Sequence, residues 1–306
     1  MPITVVPWID KAVSQFCLSL KQKNYGHAYL IGLEKGYGGD LLGQALAKAL
    51  LCAKATERGG CGFCKACLLF EANNHPDFYS IKADGHQIKV DQIRQLCQRL
   101  TATAQQGGRR VALLLNSERL NIAAANALLK TLEEPGKETV LLLQSDTPSR
   151  LMATISSRCQ RIDLTFPALS DIKTWLAKEC DVTQDVTWCL PVVGGPIALA
   201  DCLNTGDYER LLRFRKAWAQ SLASGRLSNE LMKLDEQQVF DAMNVLYLVL
   251  KQKLSRQVDL DAIVRMKIVD LSASIMQQYH QLKQMPNINT SALFKRVIAD
   301  YQQIVK

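Results

Sequence analysis

Four cysteines stand within sixteen residues: Cys52, then Cys61-Gly-Phe-Cys64-Lys-Ala-Cys67. The Cys-x2-Cys-x2-Cys spacing lets successive sulfurs turn back on one ion, and four thiolates can close a tetrahedral zinc site. Gly59, Gly60 and Gly62 give the intervening loop the backbone freedom this needs. Four sulfurs leave no open position for water, so the spacing predicts one structural zinc rather than a catalytic one. Free reduced thiols and a redox or cluster role are the competing readings of the same residues.

A second constellation, Gly36-Tyr-Gly38-Gly39-Asp40, lies between an apolar run and a helical pattern, where a phosphate-binding loop would sit. Such a loop needs Gly-x4-Gly-Lys-[Ser/Thr]: backbone N–H groups hold phosphates, the lysine neutralises their charge, and the hydroxyl ligates magnesium. Here Leu33 takes the first glycine position, Gly39 the lysine position and Asp40 the hydroxyl position. A carboxylate suits a helix N-terminus as a cap, but adds negative charge where a triphosphate needs positive charge. The run 111–115 should end in the acids that bind magnesium and activate water, yet it ends in Leu115-Asn116, with Glu118 farther along on a loop. The pattern is that of an ATPase with its chemistry removed, and no productive ATP binding is expected.

The elements around these residues alternate. The pattern predicts strands over 28–31, 77–81, 111–115 and 140–143, and helices over 40–52, 90–101 and 121–134, the last stopped by Pro135-Gly136. Leu42, Ala45, Leu46, Ala49 and Leu50 form one helical face, and Ile93, Leu96, Cys97 and Leu100 another. Continuous apolar runs such as 111–115 suit strands buried on both faces, so the fold class is α/β, a parallel sheet covered by helices. From about Phe166 the pattern is helical: 169–179, 187–203 broken by Gly194-Gly195-Pro196, then 207–221, 235–255, 260–285 and 289–305. Ile268, Leu271, Ile275 and Leu282 give one face that wants a partner helix within a bundle.

With 306 residues, 48% of them apolar, the chain can bury a sizeable core, which excludes disorder. Lys and Arg exceed Asp and Glu by 37 − 29 = +8, which permits work near nucleic acid without demonstrating it. The first residues, Met1-Pro-Ile-Thr-Val-Val-Pro-Trp, lack the charged start and apolar stretch of a secretory signal. No apolar run approaches the roughly 18–20 residues that span a bilayer. A soluble, cytoplasmic protein is expected, and in that reducing compartment a tight cysteine cluster reads as a metal site.

Several segments together resemble the AAA+ clamp-loader family, and within it the delta-prime subunits of bacterial DNA polymerase III. They are Asn121-Ile-Ala-Ala-Ala-Asn126-Ala-Leu-Leu-Lys130-Thr-Leu-Glu-Glu134-Pro135, the four-cysteine insertion after the first of the predicted helices, His75-Pro-Asp77-Phe-Tyr79, and Ser157-Arg158-Cys159. The resemblance covers most of residues 7–165 and separates the chain from the hydrolysing gamma/tau subunits by its degenerate loop. It implies an AAA+ RecA-like domain over 1–165 with a zinc-binding insertion at 52–67, a small helical lid over 166–206, and an all-α collar over 207–306. In the lid, Ile197 stands where the family places a nucleotide-sensing arginine.

The resemblance also implies a function: a non-hydrolysing, stator-like subunit that positions delta within a hetero-pentamer of delta and gamma/tau subunits. It would meet primer-template DNA and the sliding clamp through that complex. Arg158, supported by Ser157 and Cys159, would act in trans as an arginine finger on the ATP held by a gamma/tau neighbour, with Arg150 and Arg161 as less supported alternatives. A guanidinium so placed stabilises charge developing during phosphoryl transfer. A surface arginine paired with an acid is the other reading of Arg158. Asn126, Lys130 and Glu133 share one helix face that would approach DNA or adjacent subunits, and Lys130 and Glu134 could pair. The collar would use the apolar faces at 239–250 and 268–282. The chain itself would not be an ATPase, although the holoenzyme it implies is a DNA-directed DNA polymerase. Two alternatives remain: a self-sufficient AAA+ ATPase, and a zinc-dependent nucleic-acid-binding module, although only Lys54, Arg58 and Lys65 gather near the cysteines. The remaining five cysteines are expected to be buried small side chains.

Overall fold

The structure, a computed structural model, describes residues 6–256, 261–282 and 289–305. It divides into two compact units, the first ending at Trp175 and the second beginning at Leu176. The first unit holds strands β1 (Ala28–Ile31), β2 (Phe78–Ile81), β3 (Arg110–Leu114), β4 (Thr139–Gln144) and β5 (Gln160–Arg161). Its helices are α1 (Pro7–Lys21), α2 (Gly39–Leu51), α3 (Lys65–Glu71), α4 (Val90–Thr101), α5 (Ile122–Glu133) and α6 (Ala153–Ser156). The boundary falls inside α7 (Leu169–Cys180).

The five strands form one parallel sheet in the order β2-β3-β4-β1-β5. The sheet buries both faces, which is why β3 and β4 read as unbroken apolar runs. Ala112 and Leu114 of β3 join Leu141 and Leu143 of β4 against Ile93, Leu96 and Leu100 of α4 and Leu128 and Leu132 of α5. On the other face α2 approaches so closely that a Cβ on Gly43 would lie 2.7 Å from Leu113 Cδ1. Asn121 caps α5 by accepting the Ala124 N–H at 2.8 Å.

Four elements of the first unit were not anticipated, the single turn α6 among them. In α1, Trp8, Ala12, Phe16 and Leu20 recur every four residues and are all buried, a periodic signal that was readable. The short α3 begins inside the cysteine loop, and β5 is two exposed residues on the sheet edge without any apolar pattern. The predicted cap also moves: α2 starts at Gly39, its N-cap is Gly38 in the left-handed region, and Asp40 sits in the first turn, accepting the Leu41 N–H at 3.0 Å.

The second unit is helical: α8 (Leu190–Val193), α9 (Pro196–Thr205), α10 (Asp207–Ser224), α11 (Glu236–Arg256), α12 (Ala262–Leu282) and α13 (Thr290–Val305). Of the predicted 260–285 helix, residues 260 and 283–285 lie outside the described residues. Trp218 is fully buried, donates its indole N–H to the Ala242 carbonyl at 2.8 Å, and meets Phe294 edge-on at 5.0 Å. Arg210 pairs with Asp207 within α10 and ties that helix to α11 through Asp241. Ile268, Leu271, Ile275 and Leu282 are buried within this unit, as are Val239, Val245, Leu246 and Leu250. Those faces therefore pack inside the chain instead of waiting for a partner; the exposed apolar residues of α12 are Ile263, Met266 and Val269. Among the described residues no helix is long and apolar enough to cross a membrane.

Candidate metal centre and the strand-end cleft

The end of α2 delivers Cys52, the following loop Cys61, and the start of α3 the other two: Cys64 is its N-cap and Cys67 lies in its first turn. Cys52 and Cys64 sulfurs are 3.8 Å apart, Cys61 and Cys67 sulfurs 4.0 Å, and all four lie within 4.8 Å of one another. Four thiolates about 2.3 Å from a central ion stand about 3.8 Å from each other, so the set fits a tetrahedral cation. Backbone N–H groups of Lys54 and Cys61 point at the Cys52 sulfur (3.4 and 3.3 Å), and that of Cys64 at the Cys61 sulfur (3.4 Å). Such donors favour the thiolate form. A Lys48–Glu71 ion pair at 2.6 Å joins α2 to α3 beside the cluster, and Gly62 takes a φ of +83° that a side chain would resist.

Burial pushes the Cys67 thiol up to about 12 and also raises that of Cys52. At Cys61 burial raises the pKa as well, but the N–H groups of Phe63 and Cys64 and the neighbouring thiols outweigh it, for a net value of about 6. These four cysteines could hold a metal ion, and binding would displace the protons on Cys52 and Cys67.

The loop after β1 is closed on itself. Residues Lys35–Tyr37 form a 3₁₀ turn in which the N–H groups of Tyr37 and Gly39 donate to the Glu34 carbonyl (2.9 and 3.1 Å) and that of Gly38 to the Lys35 carbonyl (2.8 Å). The amides that would cradle phosphates are thus spent on carbonyls of the loop itself. A Cβ on Gly39 would lie 1.9 Å from the Leu33 carbonyl oxygen, so no lysine fits that position without moving backbone. Trp8 of α1 donates its indole N–H to the Tyr37 carbonyl at 2.7 Å. At the end of β3, Glu118 lies in a 3₁₀ turn and accepts the Ser145 hydroxyl at 2.8 Å.

Arg158 follows the single turn of α6. Ser157 and Arg158 are exposed, whereas Cys159 is buried, which pushes its thiol up to about 11. In the single chain Arg158 Nη2 pairs with Glu133 at 2.6 Å and Nη1 donates to the Thr154 carbonyl at 2.9 Å. Glu133 at the end of α5 thus carries an ion pair with Arg158; among the described residues no pair links Lys130 to Glu134. Asn126, Lys130 and Glu133 are all exposed. Ile197 is buried in α9.

His75 and Asp77 are buried and organise a loop. The Asp77 carboxylate accepts the N–H groups of Gln105 and Gln106 (2.8 and 2.9 Å), and His75 Nδ1 accepts the Asp77 N–H at 3.1 Å. Their work is structural: they fix the approach to β3.

A family model described as "DNA polymerase III, delta subunit" matches residues 8–168. A DNA polymerase III subunit delta' from Haemophilus influenzae is 33% identical over 89% of this chain and 83% of that protein. The chain belongs to the delta' family of DNA polymerase III subunits. The Escherichia coli delta' is 34% identical over 82% of this chain and 76% of its own length. The Pseudomonas aeruginosa delta' is 42% identical, over 57% of this chain and 53% of its own length. A crystal structure of a DNA polymerase III gamma-subunit-related protein from Thermotoga maritima matches this delta' chain with a TM-score of 0.51 over 98% of this chain and 100% of that one, at 17% identity. That likeness is one of fold: a parallel sheet with flanking helices of AAA+ type, followed by a helical region.

Of the residues singled out in the sequence, the fold brings the four cysteines together and leaves Arg158 exposed. Glu133 was not read as the partner of Arg158, nor Leu33 as the group that fills the lysine position of the loop. No sequence signal marks either, because the Glu133–Arg158 contact spans 25 residues and the Leu33–Gly39 approach depends on the loop's backbone path.

Proposed function

We propose that this delta' chain is a non-hydrolysing, stator-like subunit of a cytoplasmic DNA polymerase III clamp loader. It positions delta and lends Arg158 to the ATP site of a gamma/tau neighbour in a hetero-pentamer that acts on primer-template DNA and the sliding clamp. The observation that carries this reading is the self-closed loop after β1, where the Leu33 carbonyl occupies the space a phosphate-binding lysine would need. A family member whose own phosphate loop is shut contributes to ATP chemistry through a group it offers outward. Arg158 is exposed at the end of α6, and its pair with Glu133 spends only part of a guanidinium's five N–H donors. Ser157 and Cys159 support it, Cys159 by anchoring the segment in the core.

In this reading Cys52, Cys61, Cys64 and Cys67 hold one structural zinc that stabilises the insertion after α2. Residues 1–165 form the AAA+ domain, 166–206 the lid and 207–306 the collar, and the exposed face of α5 bearing Asn126, Lys130 and Glu133 turns toward DNA or neighbouring subunits.

The test is Arg158→Ala in a loader reconstituted from this chain with delta and gamma/tau. The isolated variant should lose less than about 1 kcal/mol, as for any exposed ion pair. Turnover at the ATP site it completes should fall by about 10³. Unchanged DNA-stimulated turnover, or saturable binding of magnesium ATP by the isolated wild-type chain, refutes the assignment.

A further inference from the structure

In an open parallel sheet, ligands bind beyond the carboxyl ends of the strands, where neighbouring connections diverge. In this sheet the place is the ends of β1, β3 and β4, and the Asp146 carboxylate gathers donors from all three. Asp146, two residues beyond β4, accepts the Lys35 N–H at 2.9 Å and the Gln144 side-chain amide at 2.7 Å on Oδ1, and the Asn116 side-chain amide at 2.9 Å on Oδ2. The three donors come from the loop after β1, the end of β4 and the segment after β3.

The cradle is built and supported. Gln144 is almost wholly buried; its Nε2 also donates to the Leu33 carbonyl at 2.9 Å, and its Oε1 accepts the Asn116 N–H at 2.9 Å. The Ser117 hydroxyl donates to the Gln144 carbonyl at 2.8 Å. Asn116 adopts φ +52° and ψ +50°, a region that side chains other than Asn and Asp rarely enter, and is held there by bonds from both its backbone and its side chain.

We infer that this is a binding site for a small oxyanion, of carboxylate or phosphate class, which the chain fills permanently with its own Asp146. Charge-assisted bonds from three segments tie the ends of β1, β3 and β4 together. The cleft therefore has one closed state that needs no ligand and that nucleotide does not alter. The inference rests on the silent-subunit reading for its meaning, and its geometry stands apart from the role of Arg158.

The experiment measures hydrogen exchange at the Lys35 and Asn116 backbone amides of the full chain. In Asp146→Ala, exchange at Lys35 should rise by about tenfold or more, the effect of losing one bond to a charged acceptor. Formate, which fits the vacated cradle, should reverse part of the increase, while equal chloride does not. Asp146→Asn keeps the shape and loses the charge; it should raise Lys35 exchange by a smaller factor, and it carries the test should the alanine variant fail to fold. Unchanged exchange in either folded variant, or an equal response to formate and chloride, overturns the inference. Wild-type exchange at both amides should be the same with and without magnesium ATP. A wild-type chain that binds ATP defeats the silent-subunit reading whatever Asp146 does, whereas an ATP-indifferent wild type with unaffected Asp146 variants defeats this inference alone.

Discussion

Cys67 is buried at the start of α3 with its thiol pushed up to about 12, whereas Cys61, turned toward N–H donors, is pulled to about 6. A cluster so divided does not hold four like charges at neutral pH unless a cation replaces the protons. Cys61→Ser should therefore lower the zinc retained after dialysis from about one per chain to a small fraction of that, measured by metal analysis. It should also lower the denaturant midpoint of unfolding, because loss of a metal is among the mechanisms behind large destabilisations. Equal metal content in the two proteins would dissociate these cysteines from zinc. The two-residue gaps made Cys61, Cys64 and Cys67 legible as one cluster, and Cys52 joined it as the cysteine ending the preceding helix. Arg158 was singled out only by the resemblance of its segment to a family motif; its contact with Glu133 at the end of α5 has no local signature.

At the scale of elements, the loop between β1 and α2 shows how one position can close a site. The peptide of Gly39 packs against Leu33 so tightly that any side chain meets the carbonyl. Gly39→Ala should cost about 1–3 kcal/mol in denaturant unfolding, as overpacked sites do. Gly39→Lys, which restores the phosphate-loop lysine on paper, should be destabilised at least as much and still bind no ATP in a titration. A lysine variant of full stability and micromolar ATP affinity would show the loop to be open. The strands and most helices of the first unit were readable because burial on one or both faces imposes period 3.6 or unbroken apolar runs. α1 carried the same signal. β5 carried none, because two exposed edge residues need no pattern to pair with β1.

For the whole molecule, buried titratable groups bound the pH range of stability. Burial lowers the pKa of His75, whose Nδ1 already accepts a backbone N–H. Unfolding lets it take up a proton, so its contribution is present above about 6.5 and is lost as pH falls through that value. Burial raises the thiols of Cys159 and Cys202 to about 11 and that of Cys189 to about 12. Their contribution is complete below the ordinary thiol range and is lost as pH rises from about 9 toward those values. Unfolding free energy should peak between about pH 6.5 and 9, and a Cys159→Ala, Cys189→Ala, Cys202→Ala variant should show a flatter alkaline decline in denaturant titrations; an equally steep decline would assign it to other groups. The reading of the five remaining cysteines as buried holds for Cys17 and Cys189, whereas Cys97, Cys180 and Cys202 are half-buried on helix flanks. Sequence alone determined the α/β-then-helical order, the cluster of four cysteines, and the loss of the lysine and acids that ATP chemistry requires, because each follows from residue type and short-range spacing. Only the tertiary structure decided that the apolar faces of α11 and α12 are consumed inside the chain, that Arg158 rests on Glu133, and that Asp146 draws donors from the ends of three strands. Each of those depends on which distant segments the sheet order and helix packing bring within a few ångströms, and the distance between two side chains in space is not encoded in their separation along the chain.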